Sequence, residues 1–141
     1  MNTQARSSNH GFVTTATTIR EVMTAAPQTI EASATVTQAH EVMQRLRCRH
    51  LPVVEGGALV GILSERDVYI AVCVGVGNAP VDKAMNRSVY TTTPDAKVRD
   101  VARVLAAEKY GSAVVLDGER IVGIFTTTDA FRHLVAALRD D

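Results

Sequence analysis

The chain contains the sequence Gly61-Ile62-Leu63-Ser64-Glu65-Arg66-Asp67 and, 62 residues later, the related sequence Gly123-Ile124-Phe125-Thr126-Thr127-Thr128-Asp129. Each copy ends an apolar run and places an aspartate three positions after a hydroxyl residue, where a helix-like pattern begins. A hydroxyl and an acid at this spacing are typical of the capping box that starts a helix. The free N–H groups and the dipole of a helix start also attract anions. Each copy therefore predicts a strand-to-helix junction that serves capping, ligand binding or both.

The similarity between the two halves of the chain extends beyond these motifs. Identical residues recur at the constant offset of 62, at apolar positions and at turn glycines, in the pairs Met23/Met85, Thr29/Thr91, Ala34/Ala96, Val36/Val98, Val42/Val104, Val53/Val115, Gly56/Gly118 and Val60/Val122. This pattern indicates a structural repeat. A unit of about 60 residues has too little core to be stable by itself. We therefore expect the two copies to pack on each other with pseudo-twofold symmetry.

Hydrophobic periodicity predicts the same order of elements in both halves, β-α-β-β-α, and hence an α/β (α+β) fold. We expect residues 1–17 to form a disordered N-terminal arm, residues 18–77 the first repeat and residues 78–141 the second. The last helix of each repeat, residues 68–74 and 130–138, is apolar on nearly all sides, which predicts burial on every side. That burial can come from the protein's own core or from a symmetric interface with a second copy.

The composition of the chain argues against several classes of function. The 141 residues are 46% hydrophobic and 21% charged with a formal net charge of zero, so neither nucleic-acid binding nor membrane binding is expected. No apolar run approaches the roughly 20 residues that a membrane-spanning helix needs. Cys48 and Cys73 form neither a disulfide framework nor a metal-ligand pattern, which predicts a reducing cytoplasm and no metal site. The sequence shows no activated nucleophile and no acid–base pair, so we do not expect an enzyme.

The strands that precede the two motifs complete a recognisable pattern. They read His50-Leu51-Pro52-Val53-Val54-Glu55 and Ala113-Val114-Val115-Leu116-Asp117-Gly118. Together with the motifs, residues 18–138 resemble the cystathionine-β-synthase (CBS) domain pair, also called a Bateman module. The resemblance implies a stand-alone regulatory module that binds an adenosine-containing ligand, such as AMP, ATP, NAD(H) or S-adenosylmethionine. It also implies a disc-shaped homodimer and an effector protein, as yet unknown, that responds to the ligand.

In that family the two repeats form two clefts, and the resemblance assigns residues to each. The terminal acid of a motif takes the ribose hydroxyls, the hydroxyl residue lies by the phosphates, and the opposite wall comes from the other repeat. Cleft 1 would contain Ile62, Ser64, Arg66, Asp67, Val89, Tyr110 and Gly111. Cleft 2 would contain Pro27, Cys48, Arg49, Ile124, Thr126, Thr128 and Asp129. The chemistry is consistent, because a carboxylate can accept both hydroxyls of a ribose diol.

The opposing walls differ, so we expect the two clefts to be inequivalent. Arg47 and Arg49 either bind a phosphate tail or form a solvated helix end. Cys48, between them, is either a redox-sensitive thiolate or a half-buried wall thiol. Tyr110 stands where the first repeat has Cys48 and could fill cleft 1. This leaves a second hypothesis open, a non-catalytic dimeric interaction or scaffold protein with no bound nucleotide.

Overall fold

The computed structural model of the protein describes residues 13–138. The predicted order of elements is confirmed in both repeats, and the fold is mixed α+β. The first repeat contains α1 (Ile19–Val22), β1 (Thr24–Ala25), β2 (Ile30–Glu31), α2 (Val36–Leu46), β3 (His50–Glu55), β4 (Ala58–Ser64) and α3 (Glu65–Cys73). The second contains a 3-10 turn (Val81–Lys83), β5 (Thr91–Thr92), α4 (Val98–Glu108), β6 (Ser112–Asp117), β7 (Arg120–Thr126) and α5 (Thr127–Ala137).

The two repeats build equivalent sheets. In each, an antiparallel hairpin, β3–β4 or β6–β7, carries a short parallel strand at its edge, β2 beside β3 and β5 beside β6. The buried centres of these hairpins are apolar because Val53, Leu63, Val115 and Phe125 are at most 1% exposed. Helices α2 and α4 cover the sheets with one apolar stripe each, as their 3.6-residue periodicity predicts.

The first segment of each repeat crosses over to the other repeat. Strand β1 pairs antiparallel with β7, Thr24 opposite Ile124. Asn86 makes the equivalent bridge with Ile62, through two N–H···O=C bonds of 2.9 Å. As a result Ile19 packs in the core of the second repeat and Val81 in the core of the first. Each core therefore contains a short segment that belongs, in sequence, to the other repeat.

The predicted arm, residues 1–17, lies mostly outside the described residues, and its last five residues do not match the prediction. Val13 packs against the core of the second repeat. Thr17 is buried, and its carbonyl accepts the N–H of Val98 at 2.9 Å. The physical reason lies at the start of α4, because its N-cap residue, Lys97, supplies no side-chain acceptor. The backbone of Thr17 satisfies a helix N–H group that would otherwise lack a partner.

Helices α3 and α5 are not buried on every side within the single chain, so its own core does not supply the predicted burial and the alternative of a symmetric interface remains. Val68 and Ala71 face the core, whereas the rest of the apolar surface faces outward because α3 packs on α2, and α5 on α4, from one side. The side chains that are about half exposed or more are Tyr69, Ile70, Val72, Val74, Phe131, Leu134, Val135 and Leu138. Within residues 13–138 no helix has the length and apolarity needed to cross a bilayer.

Candidate ligand-binding clefts

Both sequence motifs form complete capping boxes at the starts of α3 and α5. The N–H of Asp67 donates to Ser64 Oγ at 3.1 Å, and the N–H of Ser64 donates to Asp67 Oδ2 at 2.9 Å. In the second copy the N–H of Asp129 donates to Thr126 Oγ1 at 3.1 Å, and the N–H of Thr126 donates to Asp129 Oδ2 at 3.0 Å. The capping role is therefore present in both copies. It uses one carboxylate oxygen of each aspartate and leaves the other, Oδ1, for further contacts.

A cavity of about 540 Å³ lies at the start of α5, between the two repeats. All seven residues that the sequence assigns to cleft 2 line it, which are Pro27, Cys48, Arg49, Ile124, Thr126, Thr128 and Asp129. Seven further residues share the lining, Thr24, Ala26, Gln28, Leu46, Arg47, His50 and Arg132. The structure thus brings the predicted set together from both repeats, and its role in binding a ligand stays a prediction.

The wall opposite Asp129 depends on how α2 ends. Arg47 follows the last helical residue and adopts a left-handed conformation, with φ 56° and ψ 40°. Such a residue terminates a helix and turns the chain sharply. Cys48 then donates its N–H to the carbonyl of Met43 at 3.1 Å, and the chain enters β3 at His50. This turn holds Cys48 and Arg49 at the cavity, where the resemblance places them.

Charge in the cavity is arranged as one buried carboxylate beneath a basic rim. Asp129 is 8% exposed, and its Oδ1 accepts a hydrogen bond from Arg132 at 3.1 Å. Arg49 lies 3.7 Å from the carboxylate of Glu65, a contact that solvent weakens because the arginine side chain is 75% exposed. Arg47 is also exposed at the rim. Three arginines therefore surround one cavity carboxylate, and the surplus of positive charge favours an anionic ligand.

His50 is a residue of the site that sequence reasoning did not single out. It lines the cavity of cleft 2, and its ring packs against Gly111, which the resemblance assigns to cleft 1. A Cβ added to Gly111 would lie 2.6 Å from Nε2 of His50. Burial lowers the pKa of His50, and the positive charge of Arg49 lowers it further. The carboxylates of Asp67, Asp129 and Glu65 act in the opposite direction. His50 thus feels both motif aspartates. Its position at the start of β3, next to Arg49, is the signal that could have identified it.

The structure also shows where the residues assigned to cleft 1 lie. Ser64 and Asp67 start α3, and Ile62 lies beside them in β4. Tyr110 follows the left-handed residue Lys109 and stacks on Tyr90, with ring centroids 5.6 Å apart and planes at 29°. The carbonyl of Gly111 accepts the first N–H of α5 at 3.1 Å. Arg66 is exposed and Val89 half-buried, and the assignment of all seven residues to a ligand cleft stays a prediction.

Cys48 is half-buried in the wall of cleft 2, and burial raises the pKa of its thiol. Two backbone hydrogen bonds act in the opposite direction but are the smaller effect. A raised pKa disfavours the thiolate, which is the reactive form. This supports the interpretation of Cys48 as a wall thiol. Over residues 13–138, no three His, Cys, Asp or Glu side chains converge as they would around a metal ion.

The chain is similar to several known proteins. The A-adding tRNA nucleotidyltransferase of Geobacter sulfurreducens is 31% identical over 117 residues, which make up 83% of this chain and 13% of that enzyme. The CBS domain-containing protein YhcV of Bacillus subtilis is 25% identical over 113 residues, 79% of this chain and 81% of YhcV. This chain thus matches most of YhcV but spans only a small part of the nucleotidyltransferase.

Structural comparison gives the same relationship. The CBS domain pair of protein MJ0100, solved in complex with 5′-methylthioadenosine and S-adenosyl-L-methionine, superposes with a TM-score of 0.79 at 26% identity. The match covers 84% of this chain and 96% of that one. The CBS domain model matches residues 19–73 and 81–136. The chain therefore belongs to the CBS domain family and contains a pair of these domains.

Proposed function

We propose that the protein is a regulatory module that binds an adenosine-containing ligand in cleft 2 and transmits its presence to another protein. The observation that carries this proposal is the cavity, in which a buried carboxylate, motif hydroxyls, apolar side chains and three arginines converge from both repeats. Its volume of about 540 Å³ falls within the range of small-molecule sites. These groups match the ribose, phosphate and adenine parts of an adenine nucleotide.

Each part of such a ligand has a matching group in the cavity. The carboxylate of Asp129 would accept the ribose hydroxyls, in exchange for its contact with the exposed Arg132. The hydroxyls of Thr126 and Thr128, at the start of α5, suit phosphate oxygens, because a helix start favours anions. Ile124 and Pro27 offer apolar surface to the adenine ring.

The positive charge at the rim of cleft 2 favours some adenosine-containing ligands over others. MJ0100 is a relative whose structure contains 5′-methylthioadenosine and S-adenosyl-L-methionine. In this chain Arg47, Arg49 and Arg132 surround the cavity. Guanidinium groups attract phosphates and repel a sulfonium. We therefore favour the anionic members of the class, AMP, ATP and NAD(H), over S-adenosylmethionine.

A thermal-shift screen with calorimetric follow-up tests the proposal. AMP, ATP, NADH and S-adenosylmethionine are titrated separately, with GMP as the control for nonspecific phosphate binding. A ligand that binds the folded form alone at 100 times its Kd stabilises it by about 2.7 kcal/mol, so the melting temperature rises. We expect a rise with the anionic adenosine compounds and little with GMP. If none of the adenosine compounds shifts the melting temperature, the proposed function is wrong.

The exposed apolar faces of α3 and α5 favour a second copy of the chain as a partner. Phe131, Val135 and Leu138 are between 65% and 71% exposed, which is unusual for large side chains of this kind on a single helix. Burying them against the same faces of a second copy would give a twofold-symmetric dimer. If cleft 2 proves to bind no ligand, this dimer supports the alternative function, a non-catalytic interaction protein.

A further inference from the structure

We propose that the stacked pair Tyr90–Tyr110 closes cleft 1, so that each chain binds its nucleotide in cleft 2 alone. This inference rests on the proposed function of cleft 2. It adds that one nucleotide binds per chain and that the tyrosine pair is the reason. The pair makes the two clefts different in shape, although both motifs have a hydroxyl residue and an aspartate at the same spacing. Closure of one cleft turns a symmetric repeat into a module with a single ligand site.

The internal repeat shows where the tyrosines lie relative to a ligand cleft. At the offset of 62 residues, Tyr90 corresponds to Gln28 and Tyr110 to Cys48. Gln28 and Cys48 both line the cavity of cleft 2. Two phenol rings therefore stand in cleft 1 where an amide and a thiol leave space in cleft 2. The added side-chain volume falls on the wall that would face a bound ligand.

The two rings are held in place by their surroundings. Tyr90 packs against the core of the second repeat, and its carbonyl accepts the N–H of Val114 at 3.0 Å. Tyr90 is half-buried, and burial raises the pKa of its phenol. The N–H of Tyr110 donates to the carbonyl of Leu105 at 3.1 Å, directly after the left-handed turn at Lys109. Tyr90 is half-buried and Tyr110 is 38% exposed, so the stack on the packed Tyr90 ring is what holds Tyr110 over the cleft.

The cationic rim is also weaker on this side. Arg49 in cleft 2 corresponds to Gly111 in cleft 1, and the ring of His50 occupies the space beside that glycine. Arg132 corresponds to Ile70. Two of the three arginines at the rim of cleft 2 thus have no cationic counterpart, and Arg66, which corresponds to Thr128, replaces only one of them. The motif itself is intact, since Asp67 uses only Oδ2 for its cap among the described contacts. Cleft 1 should therefore accept a ligand once the rings are removed.

A residue exchange between the clefts tests this inference. Tyr90→Gln with Tyr110→Cys gives cleft 1 the side chains of cleft 2, and the stoichiometry of ATP binding is measured by calorimetry and native mass spectrometry. We expect one ATP per wild-type chain and two per variant chain, with Asp67→Ala removing only the added site. Because Tyr90 contributes to a core, Tyr110→Cys alone serves as a milder variant, with a weaker second site expected.

The reciprocal exchange, Gln28→Tyr with Cys48→Tyr, should close cleft 2 and weaken ATP binding by at least about tenfold. The inference would be overturned if the wild type bound two ATP molecules per chain. It would also be overturned if every folded variant opened at cleft 1 bound only one. Either result would leave the proposed function intact. An absence of binding in the wild type and in all folded variants would overturn both. The two failures are therefore distinguishable from the stoichiometry of the wild type alone.

Discussion

The side chain of Met85 packs directly on Gly61, although the two residues belong to different repeats. A Cβ placed on Gly61 would overlap Sδ and Cγ of Met85 and would lie 3.1 Å from the carbonyl oxygen of Asn86. Met23 packs on Gly123 in the same way. Both contacts follow from the crossing of the first segment of each repeat to the other. The motif glycines therefore allow the close approach that joins the two repeats.

We expect Gly61→Ala to destabilise the protein by about 1–3 kcal/mol, because overpacking at a tight contact forces neighbouring groups to shift. The Met85 side chain can move partly aside, whereas the backbone oxygen of Asn86 cannot move without disturbing its bridge to Ile62. Urea denaturation, read as the free energy of unfolding, measures the effect. Gly123→Ala should behave alike because of its contact with Met23.

A double-mutant cycle provides the control for this prediction. Met85→Ala should relieve part of the cost of Gly61→Ala, while Met23→Ala should leave that cost unchanged. The reverse pairing is expected for Gly123→Ala. Strict additivity of Gly61→Ala and Met85→Ala would show that the crossing contact does not cause the destabilisation.

Val72→Glu should separate the proposed dimer without unfolding the chain, because Val72 is 49% exposed in the single chain. A carboxylate at this position would be buried without a partner in the dimer, which is strongly unfavourable. Size-exclusion chromatography with light scattering gives the molar mass, and circular dichroism confirms the fold. Ala107→Glu, on the exposed side of α4, is the matched control and should remain dimeric. A monomeric wild type at micromolar concentration would contradict the interface.

His50 should make stability depend on pH below its usual pKa of 6.5. Its folded pKa is lowered from 6.5, first by burial, so the unfolded chain takes up a proton before the folded protein does. Its contribution to stability is therefore complete above pH 6.5 and is lost as the pH falls through the folded pKa. His50→Gln should show a shallower loss of stability over this range. Identical slopes for wild type and variant, from urea denaturation at each pH, would disprove this role.

The sequence predicted the local features of this fold well, because each depends on a short pattern. Capping boxes at Ser64 and Thr126, the hairpins and the apolar stripes of α2 and α4 all follow from residue types at fixed spacings. The family resemblance then supplied the pairing of Asp129 with Cys48 and Arg49 across the repeats. The structure places all three residues around one cavity.

Long-range packing was harder to predict from local patterns. Nothing in the signals around Met23 or Met85 indicates that each packs on the sheet of the other repeat. Val13 joins a core because that crossing brings the start of the chain to the second repeat. For a related reason, the sequence left open whether the chain's own core or a second copy covers α3 and α5. The apolar residues of a helix indicate that its surface is buried, but they do not identify the element or molecule that packs against it.

We expect Asp129 to bind the ribose of an adenine nucleotide in addition to capping α5. Asp129→Ala removes a carboxylate that would make charge-assisted hydrogen bonds worth about 1.5–3 kcal/mol, so ATP binding should weaken by about one to two orders of magnitude. The same change also removes half of a capping box and lowers stability. Binding must therefore be measured at a temperature where wild type and variant are both folded.

Thr35→Ala separates the two roles, because Thr35 forms the capping box of α2 and lies outside the cavity lining. It should cost about 1 kcal/mol of stability and leave ATP affinity unchanged. Calorimetric titration of ATP into the wild type, Asp129→Ala and Thr35→Ala is the most direct test. We expect a loss of affinity in Asp129→Ala alone. Equal affinity in all three proteins would contradict it and would leave Asp129 as a helix cap only.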